Sequence, residues 1–157
     1  MNLFFINTFI AFGYTGVQGQ FNLSGLAVGY FLGYAALWVT QPLYGPSRYF
    51  YRVPKALGLM AFFLLELVYS NLQVLWAVIT PGQISRPGIV GVPLTARSDL
   101  EILLVANLIS LTPGTLSVDL SDDRRILFVH VMFLDDPNRF REGIKTGLEK
   151  RVLEVTR

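Results

Sequence analysis

The sequence predicts an α+β membrane protein: a transmembrane helix pair, a further apolar helix, and a small α/β domain at the C-terminal end. Composition is the first reason. Of 157 residues 52% are apolar and only 15% charged, with a mean hydropathy of +0.48; an ordinary soluble domain carries about 25% charge. Charge placement is the second. Of 13 Lys and Arg and 11 Asp and Glu, only Arg48, Arg52, Lys55 and Glu66 fall before Gly82. Periodicity is the third: uncharged helical runs dominate before Gly82, and strand-like alternation enters after it. The chain therefore divides into a membrane region, 1–81, and a soluble region, 82–157.

Leu3 to Val17 is apolar apart from Asn7, Thr8 and Thr15. A span needs roughly 20 residues, so the first covers 2–20, with Asn2 and Gln18 to Phe21 at the interfaces. The N-terminus lacks the basic stretch and small-residue cleavage site of a signal peptide, so this run reads as retained. The second span, 23–43, carries no charge and has Phe21, Tyr30, Trp38 and Tyr44 toward its ends, as interfacial aromatics are placed. "QGQFN" between the two permits only a tight hairpin.

Gly25, Gly29 and Gly33 recur at helical spacing on the second span. They form a groove without side chains where another helix approaches closely. That helix is either the first span or a partner subunit; the groove is assigned here to subunit docking.

"YGPSRYFYRVPK" follows, with Arg48, Arg52 and Lys55 among aromatics. It reads as a cytoplasmic interfacial collar, by the excess of positive charge on that side. Ala56 to Thr80 is apolar enough for a third membrane helix, yet Glu66, Ser70, Gln73 and Thr80 fall on one helical stripe. Both of its flanks are basic. An amphipathic, interfacial helix at 56–80 keeps the soluble domain in the cytoplasm; a crossing would place it outside. Glu66 is a possible intramembrane polar site, or else an acid at the polar edge of the interface.

The soluble part begins with a short strand, Ile89 to Leu94. Ser98 with Glu101 is a capping-box pair, so a helix starts at Asp99. That helix runs to about Leu111 and has little polar surface, so it must be covered on two sides. Thr112-Pro113-Gly114 ends it: Pro113 cannot continue a helix and Gly114 permits reversal. "TLSVDL" alternates, with Leu116, Val118 and Leu120 on one face. "SDDR" is a turn, and "RILFVHVMFL" is the hairpin partner strand. Asp135-Asp136-Pro137 opens the last helix, whose stripe is Phe140, Ile144, Leu148, Val152 and Val155. The order β-α-β-β-α predicts a small mixed sheet of ferredoxin-like type with helices packed on it.

Several chemistries lack their residues. Basic and acidic residues are interleaved in the second half and the net charge is +2, so no nucleic-acid footprint is expected. There is no cysteine. No Gly-rich loop ends in Lys-Ser or Lys-Thr. "TPGT" lies between helix and strand, the reverse of a nucleophile elbow. His130 stands alone on an apolar strand and reads as a hydrogen-bonded core residue. Asp122 and Asp123 beside Arg124 and Arg125 read as a solvated turn rather than a metal or phosphate loop. No catalytic residue, metal site or cofactor is expected, and Thr112-Pro113-Gly114 reads as a joint that serves subunit docking. The rival from another class is a membrane-anchored ligand-binding or enzymatic α/β module using Asp119, His130 and that turn.

Nearly the whole chain resembles the MnhE/MrpE subunits of the multisubunit Mrp-type sodium/proton antiporters. The resemblance is densest in "GYFLG", in "RPGI" from Arg86 to Ile89, in "ANLISLTPGTLSVDLSDDR" from Ala106 to Arg124, and in the end "LEKRVLEVTR". It implies an accessory, assembly-type subunit of a complex that exchanges Na⁺ for H⁺ in the bacterial plasma membrane. It implies a multi-pass protein whose partners are the lipid bilayer and the other antiporter subunits, with ion conduction in larger subunits.

Overall fold

The structure is a computed structural model describing residues 3–19, 21–45, 47–82 and 85–157. Asn2 and Gln20, expected at the interfaces of the first span, lie outside the described residues. The chain forms two compact units, Met1–Val53 and Pro54–Arg157.

In the first unit α1 (Leu3–Gln18) and α2 (Leu23–Val39) pack antiparallel, Gly33 against Asn7 and Ile10 and Gly29 against Ala11 and Tyr14. They are 16 and 17 residues long, shorter than the spans expected at 2–20 and 23–43. Asn22 caps α2 by accepting from the Gly25 amide at 2.6 Å. A 3₁₀ turn at Gln41–Leu43, with Pro42 inside, ends the run. The inward stripe of α1 is Leu3, Asn7, Ala11 and Thr15. Asn7 is fully buried and donates from Nδ2 to the Tyr49 hydroxyl at 2.7 Å, which donates to the Tyr30 hydroxyl at 2.9 Å. Phe4, Phe5, Phe9 and Phe12 stand exposed on the other side.

α3 runs from Arg48 to Ile79 and is 32 residues long. The expected collar is therefore helical: Arg48, Arg52 and Lys55 occupy the first turns of α3, ahead of the expected start at 56. Pro54 lies inside it and offers no N–H to the Phe50 carbonyl. The Tyr34 hydroxyl donates to that carbonyl at 3.4 Å, which is how a helix passes a proline without an orphaned acceptor. Among the described residues α3 is the helix long and apolar enough to cross a membrane by length and composition.

In the second unit β1 (Gly88–Pro93), β2 (Thr115–Leu120) and β3 (Ile126–Val131) form a sheet of order β1-β3-β2. Both pairings are antiparallel, which corrects the expected mixed sheet. The hairpin keeps β3 beside β2, and the β1–α4–β2 connection leaves the gap that β3 fills. This is a split β-α-β arrangement. Arg86 and Phe133 add an isolated parallel bridge.

α4 (Asp99–Leu111) begins at the capping box of Ser98 and Glu101. Its Ile102, Val105 and Ile109 are buried on the sheet with Val90, Val92, Leu127, Val129 and Val131. Each such side chain contributes about 1.5–3 kcal/mol by leaving water. The expected last helix is three segments: α5 (Pro137–Gly143), a π turn (Ile144–Glu149) and α6 (Lys150–Thr156). The wider π turn lets neighbours Leu148 and Glu149 both be buried. The Glu149 carboxylate accepts from the amides of Thr95 and Ala96.

The facing of β2 differs from expectation. Leu116 and Val118 are 52% and 54% exposed, while Thr115 and Ser117 turn inward to the end of α4. Ser117 donates to the Ala106 carbonyl at 2.9 Å and its amide donates to the Ser110 hydroxyl at 3.0 Å. A register shift between Ser117 and Asp119 then returns Leu120 to the core side, as a β-bulge does. The outer sheet face thus carries Ile89, Leu116, Val118 and Phe128, with His130 opposite Ile89 and Leu116. His130 is half-buried there, not in the core, and makes no side-chain hydrogen bond among the described residues. Leu116, Val118 and Leu120 therefore do not share one face as their alternation suggests: the bulge puts Leu120 on the core side and leaves the other two outside.

Candidate functional site

The second unit carries a half-open cavity of about 420 Å³. α3 supplies one wall with Phe62, Glu66, Tyr69, Ser70 and Gln73; the α4–β2 turn supplies Ile109, Thr112, Pro113, Gly114 and Thr115. The rest comes from Val131 and Phe133 after the central strand and from Phe140, Gly143, Ile144, Gly147 and Leu148 around the π turn. The structure thus brings together Glu66 and Thr112-Pro113-Gly114, which the sequence offered as separate features.

Helical spacing explains the α3 wall. Glu66, Ser70 and Gln73 lie on one face, while Leu57, Leu64, Val68 and Leu75 lie opposite and are more than half exposed. Among the described residues Glu66 is the one charged side chain in the lining. Glu66, Ser70 and Gln73 make no side-chain hydrogen bond within the described residues, although Ser70 is only 7% exposed. α3 meets α6 through side chains on this side. Lys55 Nζ lies 3.6 Å from a Glu154 carboxylate oxygen, and the Arg151 guanidinium lies 3.9 Å over the Phe62 ring.

The turn has the geometry its residue types imply. Thr112 leaves the helix in an extended conformation, as a residue before proline must. Gly114 takes φ +84°, a left-handed value that glycine reaches without cost. The Thr112 hydroxyl donates to the Leu108 carbonyl at 3.0 Å, and the Thr115 hydroxyl to the Ile109 carbonyl at 2.6 Å. The Met132 amide donates to the Gly114 carbonyl at 2.8 Å. The Leu108 and Ile109 carbonyls near the end of α4 are thus bonded by hydroxyls of the turn.

The glycine groove is occupied by this chain. A Cβ on Gly29 would stand 3.0 Å from the Ala11 backbone, and one on Gly33 would collide with Asn7 Oδ1. The surface assigned to subunit docking at Gly29 and Gly33 therefore faces α1, which is intramolecular packing. Gly25 is partly exposed beside Asn22.

Asp119, His130 and the turn do not form one site: His130 is on the outer sheet face and Asp119 sits opposite Phe128, outside the cavity lining. The Asp123 carboxylate accepts from the Ser121 hydroxyl at 2.6 Å and the Arg125 amide at 3.2 Å. Those bonds, the hydroxyl first, lower its pKa. Arg124, at φ 58°, pairs with Asp99 at 2.9 Å. Among the described residues no group of three or more His, Cys, Asp or Glu stands where it could hold a metal ion.

Sequence reasoning missed the buried acid pair. Glu101, 5% exposed, is held at a pKa of about 2, chiefly by the Arg157 guanidinium and then by the Arg97 and Ser98 amides. The capping box signalled its role at the start of α4 but not its bond to Arg157. Glu149 gave one faint signal, an acid directly beside the apolar stripe at Leu148.

The family model of the Na+/H+ ion antiporter subunit, MNHE, matches residues 7–155. The E-type Na(+)/H(+) antiporter subunit of Alkalihalophilus pseudofirmus is 33% identical over 152 residues, 97% of this chain and 96% of that one. The E-type Na(+)/H(+) antiporter subunit of Bacillus subtilis is likewise 33% identical over 152 residues, with the same 97% and 96% coverage. Among solved structures, a chain of the Mrp complex from Dietzia sp. DQ12-45-1b is similar with a TM-score of 0.50 and 27% identity, over 62% of this chain and 92% of that chain. A chain of the membrane-bound sulfane sulfur reductase, an archaeal respiratory membrane complex, has a TM-score of 0.59 over 96% of both chains at 22% identity. That likeness concerns the fold.

Proposed function

We propose a function from one premise: the chain belongs to the MNHE family of Na+/H+ ion antiporter subunits. It serves as an accessory and assembly-type component of a multisubunit Na⁺/H⁺ antiporter in the bacterial plasma membrane. The observation that carries this is the match from residue 7 to 155, which takes in both units. Its surfaces fit the role. Leu100, Leu103 and Leu111 of α4 remain exposed, as do Leu116 and Val118 of β2, and soluble monomers rarely leave such apolar area uncovered. The cover expected on the second side of α4 is then another subunit, with the Thr112-Pro113-Gly114 joint setting the angle at which α4 meets it.

In this reading α1 and α2 are the two membrane-spanning helices, their short apolar cores completed by flanking residues. α3 lies in the cytoplasmic interface, not across the bilayer. What supports this is its sidedness: Lys55, Glu66, Ser70 and Gln73 turn toward the soluble domain, and the opposite apolar face is bare. A helix with an ion pair along one side and leucines along the other suits an interface. The test is to replace the native gene of a multisubunit antiporter host with this one and follow Na⁺-driven pH changes in everted vesicles. Restored exchange supports the reading; an inactive complex despite normal expression of this chain argues against it.

A further inference from the structure

From the lining of the 420 Å³ cavity we infer that it binds an organic ammonium ion, a protonated amine on a short apolar or aromatic body. The inference uses only residues of the second unit and does not depend on the antiporter reading. The volume lies in the range of small-molecule sites, about 300–1,000 Å³. Among the described residues the lining holds one acid, Glu66, and no Lys or Arg. A bound anion would meet Glu66 with no compensating cation. A neutral ligand that covered Glu66 would leave its carboxylate without a counter-charge, which is costly.

An ammonium satisfies what is open. It has three N–H donors and no acceptor. Glu66, Ser70 and Gln73 present a carboxylate, a hydroxyl and an amide oxygen along one face of α3, all without a protein partner among the described residues. Phe62, Tyr69, Phe133 and Phe140 also line the space and supply aromatic rings for a cation and its apolar body. Phe62 already carries one such contact, from Arg151; that guanidinium is also bound to the Gly147 carbonyl at 2.8 Å and is not part of the lining. Gly147 keeps this wall bare: a Cβ there would stand 3.4 Å from Phe62 Cζ, across the same space.

The test is calorimetric titration of the full-length chain in detergent micelles with 2-phenylethylamine, its neutral analogue 2-phenylethanol, and anionic phenylacetate. Saturable binding of the amine is expected, at least about tenfold tighter than that of the alcohol, with none of the anion. Glu66→Gln keeps the shape and should weaken the amine by about tenfold or more. Gly147→Leu should abolish binding by filling the space beside Phe62, and an unchanged thermal midpoint would show that the fold is kept. The two natural sources of this chemistry separate in nanodiscs. Phosphatidylethanolamine that competes with the probe identifies a lipid headgroup, and binding unchanged relative to phosphatidylglycerol alone identifies an aqueous amine. No amine binding up to about 10 mM, equal affinity for the alcohol, or undiminished binding by Glu66→Gln overturns the inference. Antiporter assembly is untouched by any of these outcomes.

Discussion

Gly29→Leu separates the two readings of the glycine groove. In the structure a Cβ at Gly29 meets Ala11 Cα and carbonyl oxygen at 3.0 Å and Tyr14 Cβ at 3.1 Å. Two of these are backbone atoms and cannot swing away, so the helices must part. Overpacking of this kind costs about 1–3 kcal/mol. Parting α1 also pulls Asn7 from Tyr49, a hydrogen bond worth about 0.5–1.5 kcal/mol net. A loss of roughly 2–4 kcal/mol lowers the midpoint of a chain this size by about 5–15 °C, at a few degrees per kcal/mol. Gly13→Ala is the control: its Cβ meets nothing within 4 Å, and alanine favours helix by up to about 1 kcal/mol. Fluorescence-detected thermal melting of the full chain in detergent reads both. If Gly29→Leu melts like the parent while antiporter assembly fails, the groove faces a partner and the α1 packing argument is wrong.

Glu66→Gln should reduce antiport less than about tenfold, or 1.4 kcal/mol; abolished exchange with normal complex levels would make Glu66 an essential ion carrier. Gly114→Val forces a β-branched residue to φ +84°, which costs about 1–2 kcal/mol, so antiport and complex yield should fall while cation preference stays fixed; a changed Na⁺ over K⁺ preference in an intact complex would place the turn on the ion path. Glu101 has a folded pKa of about 2 against an ordinary 4.5, so it stabilises the fold fully above pH 4.5 and loses that contribution as pH falls toward 2. Glu101→Gln should therefore flatten acid unfolding in that window, and an unchanged acid limb would refute the assignment. Ser121→Cys should resist an impermeant maleimide in intact cells and react after lysis; labelling of intact cells would mean that α3 crosses the membrane.

Much of the fold was legible because it depends on local rules. Ser98 and Glu101 announced the start of α4, and Pro113 and Gly114 its end. Asp136 and Pro137 announced α5. These signals act within a few residues, so sequence carries them. What failed depended on distant partners. Leu116 and Val118 alternate as core residues do, yet the bulge and the hydroxyls of Thr115 and Ser117 turn the other face to α4. His130 fell on the same wrong face for the same reason. The helix expected from 56 begins at Arg48 and runs through Pro54, where the Tyr34 hydroxyl, from another helix, donates to the Phe50 carbonyl. The cavity was half visible: the Glu66 stripe and the turn were each noticed, and only the fold shows them facing one space. Gly143 and Gly147 gave no motif, because a π turn has none.

The central claim is that this chain works as one subunit among several. The direct measurement is affinity purification of the tagged full-length chain from membranes of a host whose own gene for this antiporter component it replaces, with composition read by mass spectrometry. The account predicts co-purification with the other antiporter subunits at fixed ratio, lost when the α4 face is charged by Leu103→Glu and Leu111→Glu. Recovery of the chain alone, with Na⁺-driven exchange unchanged by its removal from the host, would contradict it.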